Sequence, residues 1–301
     1  MTDLVSGPYA APRPATPIPI PQAAKAGGRP ATADSRSAAT AHRVRRLGPG
    51  RRVPYARLLG PVAALALWSL ASAVGLLDPR TLPAPWTVAH TAAQLWQNGT
   101  LGPNVSISLE RALKGFAFGL LAGTALALLA GLSRKGEALI DGNVQIFRSV
   151  PILGLIPLLI LWLGIGETFK VVTIALAVTI PFYVQLSAAL SDIDKRFVEL
   201  GEVLGLSRWQ FVRQVVVPGA LPGFFTGLRL GIVGSWLALV VVEQINATSG
   251  VGYMMFNAEN YGQTDIIVVG LAFYGLVGFT SDSLVRLAER RVLSWRQTLT
   301  G

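Results

Sequence analysis

Runs of mainly apolar residues near 58–77, 109–132, 144–163, 170–190, 220–243 and 266–285 dominate this chain. Crossing the hydrocarbon core of a bilayer takes roughly 20 apolar residues in a helix. Inside hydrocarbon, every backbone N–H and C=O must find its partner within the protein. The runs therefore predict an all-α polytopic membrane protein with six transmembrane helices and both termini on one side. A composition of 51% hydrophobic against 14% charged residues agrees with that class. The third run is interrupted by Pro151 and Pro157, and the fourth holds Pro181. In a membrane, neighbouring helices can satisfy the carbonyls that proline frees.

The charges choose the side. Arg43, Arg45, Arg46, Arg51, Arg52 and Arg57 precede the first run; Arg134 and Lys135 follow the second. Lys195, Arg196, Arg208 and Arg213 lie between the fourth and fifth, and Arg286, Arg290, Arg291 and Arg296 follow the sixth. The alternate connections hold Glu167, Glu259 and Asp265, with Arg80 as their one arginine. Basic residues collect on the cytoplasmic side of a membrane, so both termini are expected in the cytoplasm. The net charge of +10 is thereby explained by membrane sidedness rather than by a nucleic-acid face. Arg111 and Lys114 break the pattern at the outer end of the second span, where long side chains can snorkel. Residues 1–57, rich in Pro, Ala and Arg, are expected to form a disordered cytoplasmic extension. The membrane domain is read as 58–285, with a core of about 105–287 and a cytoplasmic tail over 286–301.

One cytoplasmic stretch is too charged for the bilayer and too well patterned for a loose loop. It reads E-L-G-E-V-L-G-L-S-R-W-Q-F-V-R-Q-V-V-V-P over 199–218. Leu200, Val203 and Leu204 give a first short helix an apolar face, and Gly205 can end it in a left-handed cap. Ser207 with Gln210 forms a capping box, and Leu206 with Phe211 is spaced as a hydrophobic staple. The second helix is expected to stop at Pro218. A stiff, bent element over 195–217 suits transmission of force; the same pattern also fits an ordinary interfacial helix.

This segment resembles the cytoplasmic Glu-Ala-Ala loop in permease subunits of bacterial ATP-binding-cassette importers. Glu199, Gly205 and Pro218 match the pattern's Glu, Gly and closing Pro, whereas Leu200 and Gly201 replace the two alanines and Leu206 a small residue. Between Leu82 and Trp295 the chain is similar to permeases of the aliphatic sulfonate, taurine and nitrate group. The matching stretches are L-P-A-P-W-T-V at 82–88, S-L-E-R-A-L-K-G-F at 108–116 and G-L-S-R-K-G-E at 131–137. They continue with R-S-V-P-I-L-G-L-I-P-L-L-I-L-W-L-G-I-G-E at 148–167, P-G-A-L-P at 218–222 and N-A-T-S-G-V-G-Y-M-M-F-N-A at 246–258. The resemblance implies the six-helix type I importer fold in the cytoplasmic membrane. It further implies two ATPase subunits, a second permease copy and an extracytoplasmic substrate-binding protein as partners. Glu199, Leu200, Gly201, Leu204, Gly205, Leu206, Ser207, Phe211 and Pro218 would then seat in the ATPase.

The chain itself contains no G-x-x-x-x-G-K-[ST] phosphate loop, so energy must come from another polypeptide or an ion gradient. No cofactor is expected. Cysteine is absent, and His42 and His90 are far apart, so no metal centre is anticipated. Ionisable residues at membrane depth are the functional candidates. Arg229 is either a cation that attracts an anionic solute or a snorkelling or paired residue. Glu243 is either a gate or binding-protein contact, or a solvated helix end. Pro151 and Pro157 are candidates for bends along a pathway, and Arg148 and Asp282 for a structural charge pair. Gly115, Gly119, Gly123, Ala127 and Gly131 form a small-residue ridge for close helix packing, within the subunit or between subunits. The outer stretch 246–262 is a candidate binding-protein contact or a short re-entrant segment. The rival readings are an ATP-independent secondary transporter or channel, and an intramembrane enzyme. The first lacks internal repeats and midplane carboxylates; the second lacks a catalytic set within the spans.

Overall fold

The structure is a computed structural model that describes residues 56–295. These all belong to one compact unit, Pro49–Gly301. The expected extension up to residue 55 and the last residues, 296–301, lie outside the described part. Among the described residues the secondary structure is helical throughout: α1 (Ala56–Ala73), α2 (Pro85–Gln97), α3 (Leu101–Gly131), α4 (Arg134–Ser149), α5 (Ile156–Leu163) and α6 (Glu167–Ser191) come first. Then follow α7 (Lys195–Val203), α8 (Arg208–Phe211), α9 (Val217–Gln244), α10 (Val251–Asn260) and α11 (Thr264–Val292).

Length and composition make α3, α6, the continuous helical run Arg208–Gln244 and α11 long enough to cross a bilayer. The third apolar run is not a straight span. α4 and the segment Ile152–Leu163 meet at an angle of 89°, the geometry of a broken span or of a re-entrant loop, and they add a fifth crossing only as a single bent span. The break falls where Val150, the residue before Pro151, takes an extended conformation (φ −89°, ψ 123°). A proline forces this on its predecessor by crowding its N–H and Cβ. Pro157 does not interrupt anything, because it stands in the first turn of α5, where no intrahelical N–H is needed. α4 is amphipathic, capped by Ser133, and has no buried residue. The apolar part of α1, Leu59–Ala73, is shorter than a full crossing.

The core is built around α6, which lies between α3 and α9. The small-residue ridge of α3 faces α6. A Cβ on Gly115 would stand 2.5 Å from Ile174, and one on Gly119 would stand 2.5 Å from the carbonyl oxygen of Ala175. The packing seam within one subunit is thus the reading the structure supports. A second glycine ridge, on α9, approaches α6 from the other side: Gly223 meets Ala189, Gly227 meets Phe182, and Gly231 meets Val178. Without a hydrophobic driving force between helices in lipid, such close backbone approach supplies the contact area that holds a bundle together. Two buried clusters follow along this sandwich. Ala112, Ile156, Phe169, Ile174, Leu239 and Val242 fill one end, while Ala127, Phe182, Tyr183, Leu186 and Ala220 fill the other. A third cluster joins α2, α10 and the start of α11 through Val88, Leu95, Val251, Met254, Met255 and Val269.

Candidate functional site

The segment 195–217 folds as the two-helix element its caps foretell, with one correction. Asp194 caps α7 by accepting the N–H of Arg196. Gly205 has φ +63°, a left-handed conformation that a side chain enters only at a cost. The Leu206 N–H then bonds back to the Gly201 carbonyl at 3.0 Å, closing the turn. Ser207 and Gln210 form the capping box in both directions, at 3.3 and 2.9 Å. The second helix, however, does not end at Pro218. A π-helical turn at Val212–Val216 joins α8 to α9, and Val217 donates to the Val212 carbonyl five residues back. Pro218 has no N–H, and its ring would press on the carbonyl of Gln214 in a regular helix. Widening the preceding turn accommodates that loss without breaking the rod.

Gly201 has a physical reason to stand where the family pattern has alanine. A Cβ there would lie 2.9 Å from Cδ2 of Phe211 and 3.7 Å from Leu206. The Phe211 ring therefore rests on bare backbone and fixes the angle between α7 and α8. With that face satisfied, Leu200 (52% exposed), Val203 (84%), Leu204 (64%) and Trp209 (72%) remain open to the outside, and Glu199 is exposed beside them. At the foot of this element, a cleft of about 660 Å³ lies among Gln185, Asp192, Asp194, Phe197, Pro218 and Glu289. Its carboxylates make it unattractive to an anion.

At the opposite end of α9 lies a polar cluster that the sequence did not assemble. Glu243 is 0% exposed and Arg111 4%, and Arg111 Nη1 donates to Glu243 Oε1 at 2.9 Å. The Arg111 fork also holds Glu167, with Nε and Nη2 at 2.6 and 2.7 Å from its two oxygens. Lys170 Nζ adds a bond to Glu167 at 2.9 Å. Arg111 Nη1 further donates to the Ser249 carbonyl at 2.6 Å. Glu243 takes the Ser108 hydroxyl at 2.8 Å, the Gly252 N–H at 2.9 Å and the Tyr274 hydroxyl at 3.3 Å. Two carboxylates and two cations balance there, as buried charges require. The expectation that Arg111 snorkels is corrected, as is the solvated helix end considered for Glu243. What the sequence could have offered was charge complementarity between the outer ends of the second and fifth runs.

Arg229 also sits in a paired environment. It donates to Asp282 at 3.1 Å and approaches Glu289 at 3.9 Å, while Arg286 holds the other oxygen of Asp282 at 2.5 Å. Asp282 thus pairs with Arg229 and Arg286 rather than with Arg148, which is exposed on α4. Pro151 and Pro157 are both exposed. No group of His, Cys, Asp and Glu that could hold a metal occurs among the described residues.

Known proteins share much of this sequence and its fold. The family model described as the inner membrane component of binding-protein-dependent transport systems matches residues 115–294. A Bacillus subtilis (strain 168) protein assigned as an aliphatic sulfonates transport permease is 36% identical over 81% of this chain and 88% of its own length. Its counterpart of the same assignment in Escherichia coli (strain K12) is 42% identical over 78% and 89%. A crystal structure of an amino acid ABC transporter with histidines superposes with a TM-score of 0.51 at 17% identity, covering 62% of this chain and 92% of that one. The chain therefore belongs to the inner-membrane permease family of binding-protein-dependent ABC transporters, a transport subunit whose ATP hydrolysis resides on a partner.

Proposed function

We propose that this permease passes a small sulfonate or related anion into the cytoplasm, an aliphatic sulfonate before the aminosulfonate taurine or nitrate. The relatives assigned to aliphatic sulfonates support the substrate class. Two copies would stand side by side, served by two ATPase subunits and an extracytoplasmic binding protein. Both termini would face the cytoplasm, and the six crossings would include α1 and the bent α4–α5 pair. The 195–217 element is the coupling device, and its exposed apolar face is the observation that carries this reading. Leu200, Val203, Leu204 and Trp209 leave water only if a partner covers them. Glu199 supplies a polar contact at the rim, Gly205 and Ser207 hold the bend, and Gly201, Leu206 and Phe211 set its angle. Pro218 marks the root, where α9 begins. Closure of the ATPase pair on ATP would push the two elements together and re-orient the attached helices.

The role of a substrate-attracting cation fits Arg229 poorly, since Asp282 and Glu289 already neutralise it. Glu243 serves better as a fixed joint than as a gate, and Pro151 acts as the hinge point of the third crossing, with Pro157 starting α5 beyond it.

Proteoliposomes holding the permease, its ATPase and the binding protein test the reading. ATP-dependent uptake of labelled ethanesulfonate should exceed uptake of nitrate at least tenfold. Uptake that proceeds without ATP hydrolysis, or none of any sulfonate, overturns it.

A further inference from the structure

The N-terminus of α10 has no capping side chain of its own. Its cap position is Gly250, at φ +115°. The first turn of a helix leaves N–H groups without intrahelical partners, and it attracts negative charge. Here those groups are met from two other helices, α3 and α9. Gly252 donates to Glu243 Oε2 at 2.9 Å, and Val251 donates at 2.8 Å to Ser108 Oγ, which itself donates to Glu243 at 2.8 Å. Gly250 donates to Asn104 Oδ1 at 2.7 Å. The last turn of α9, through Glu243, and the start of α3, through Asn104 and Ser108, thus cap α10 together, with Arg111 of α3 neutralising the carboxylate.

α9 runs without a break from this cap to the coupling element. Its 28 residues span about 42 Å at 1.5 Å per residue. The glycine ridge holds it closely against α6. Beyond the cap, α10 buries Val251, Met254, Met255 and Ala258 and turns Phe256, Glu259, Asn260 and Tyr261 outward.

We propose that Glu243 is a positioning residue that makes α9 and α10 one mechanical body. A soluble protein pressing on the exposed end of α10 is then felt at residues 195–217. The inference rests on the importer reading, which places α10 on the extracytoplasmic side. It adds the route by which the outer partner addresses the ATPase.

The test uses the complete transporter in lipid nanodiscs, with a single cysteine in place of the exposed Arg213 bearing an environment-sensitive fluorophore; the chain has no cysteine of its own. Ser108→Ala removes only the bridging hydroxyl. Glu243→Gln keeps the shape but loses the charge, and it is judged by the ratio of stimulated to basal hydrolysis. In the parent complex, solute-loaded binding protein should stimulate ATP hydrolysis and shift the fluorescence at position 213. In both variants, stimulation and shift should fall at least tenfold while the Kd for binding protein stays within threefold. Full responses in both variants overturn the joint. So does a loss matched by an equal loss of binding-protein affinity, which would make α10 a docking surface alone. A parent complex that ignores binding protein altogether overturns the importer reading, and the joint with it.

Discussion

The carboxylate of Glu243, in the last turn of α9, accepts the backbone N–H of Gly252, in the first turn of α10, at 2.9 Å. The intervening loop turns back so tightly that a Cβ on Gly252 would lie 2.6 Å from that of Glu243. Arg111 makes this tolerable, because a carboxylate with no exposure is costly to bury without a partner.

Removing that cation exposes the dependence. Arg111→Ala strands Glu243, and breaking a buried pair from one side costs roughly 3–5 kcal/mol. Thermal unfolding in detergent should show a large drop in melting temperature. Glu167→Gln should cost less, because the Glu167 side chain is 60% exposed and water can replace it. An unchanged melting temperature in Arg111→Ala would show that the cluster contributes nothing to stability.

The coupling turn depends on a left-handed residue. Gly205→Val places a β-branched side chain at φ +63°, at a cost of about 1–2 kcal/mol. Co-purification of the ATPase subunit and uptake in vesicles should both decline severalfold, with Gly205→Asn intermediate. Normal assembly and uptake in the valine variant would remove this turn from the coupling device.

Phe211 and Gly201 should behave as one unit. Gly201→Leu forces the ring away and should lower ATPase co-purification at least tenfold. Phe211→Ala in that background frees the space, so the double variant should recover part of the loss. A purely additive result in the double-mutant cycle would mean the two positions do not share a contact.

Arg229 and Asp282 form a second testable pair. If the 3.1 Å contact is the function of Arg229, Arg229→Ala and Asp282→Ala should lower stability to a similar degree and combine less than additively. A variant at Arg229 that raises only the KM for sulfonate, with stability intact, would restore its role as an anion attractor.

Sidedness can be read directly because the chain lacks cysteine. A cysteine at Trp209 (72% exposed) should react with a membrane-impermeant maleimide only from the cytoplasm. One at Tyr261 (80% exposed) should react only from outside. Labelling of position 209 from outside would reverse the proposed arrangement and detach the 195–217 element from any cytoplasmic ATPase.

Local chemistry was legible wherever the cause was local. The Ser207–Gln210 capping box and the Gly205 bend depend on side chains within a few residues of each other, and both form as read. The ridge at Gly115, Gly119 and Gly123 was visible for the same reason, although its partner α6 was not. The α9 ridge of Gly223, Gly227 and Gly231 has the same four-residue spacing, but it was recognised only through its contacts with α6. Pro218 misled in the same way. A proline removes an N–H, but whether the rod then breaks or widens into a π-turn depends on the packing of its neighbours.

The alternation of apolar runs with arginine-rich connections was enough to determine a helical membrane protein, because hydrocarbon tolerates few other backbone arrangements. The match of Glu199, Gly205 and Pro218 to a loop pattern pointed to the importer class through residues close in sequence. Only tertiary structure decided the partners of Arg111 and Glu243, which stand 132 positions apart in the chain. Coulomb attraction acts through space, and the meeting of those side chains was settled by how α3, α6 and α9 pack, not by anything either residue's neighbours in sequence specify.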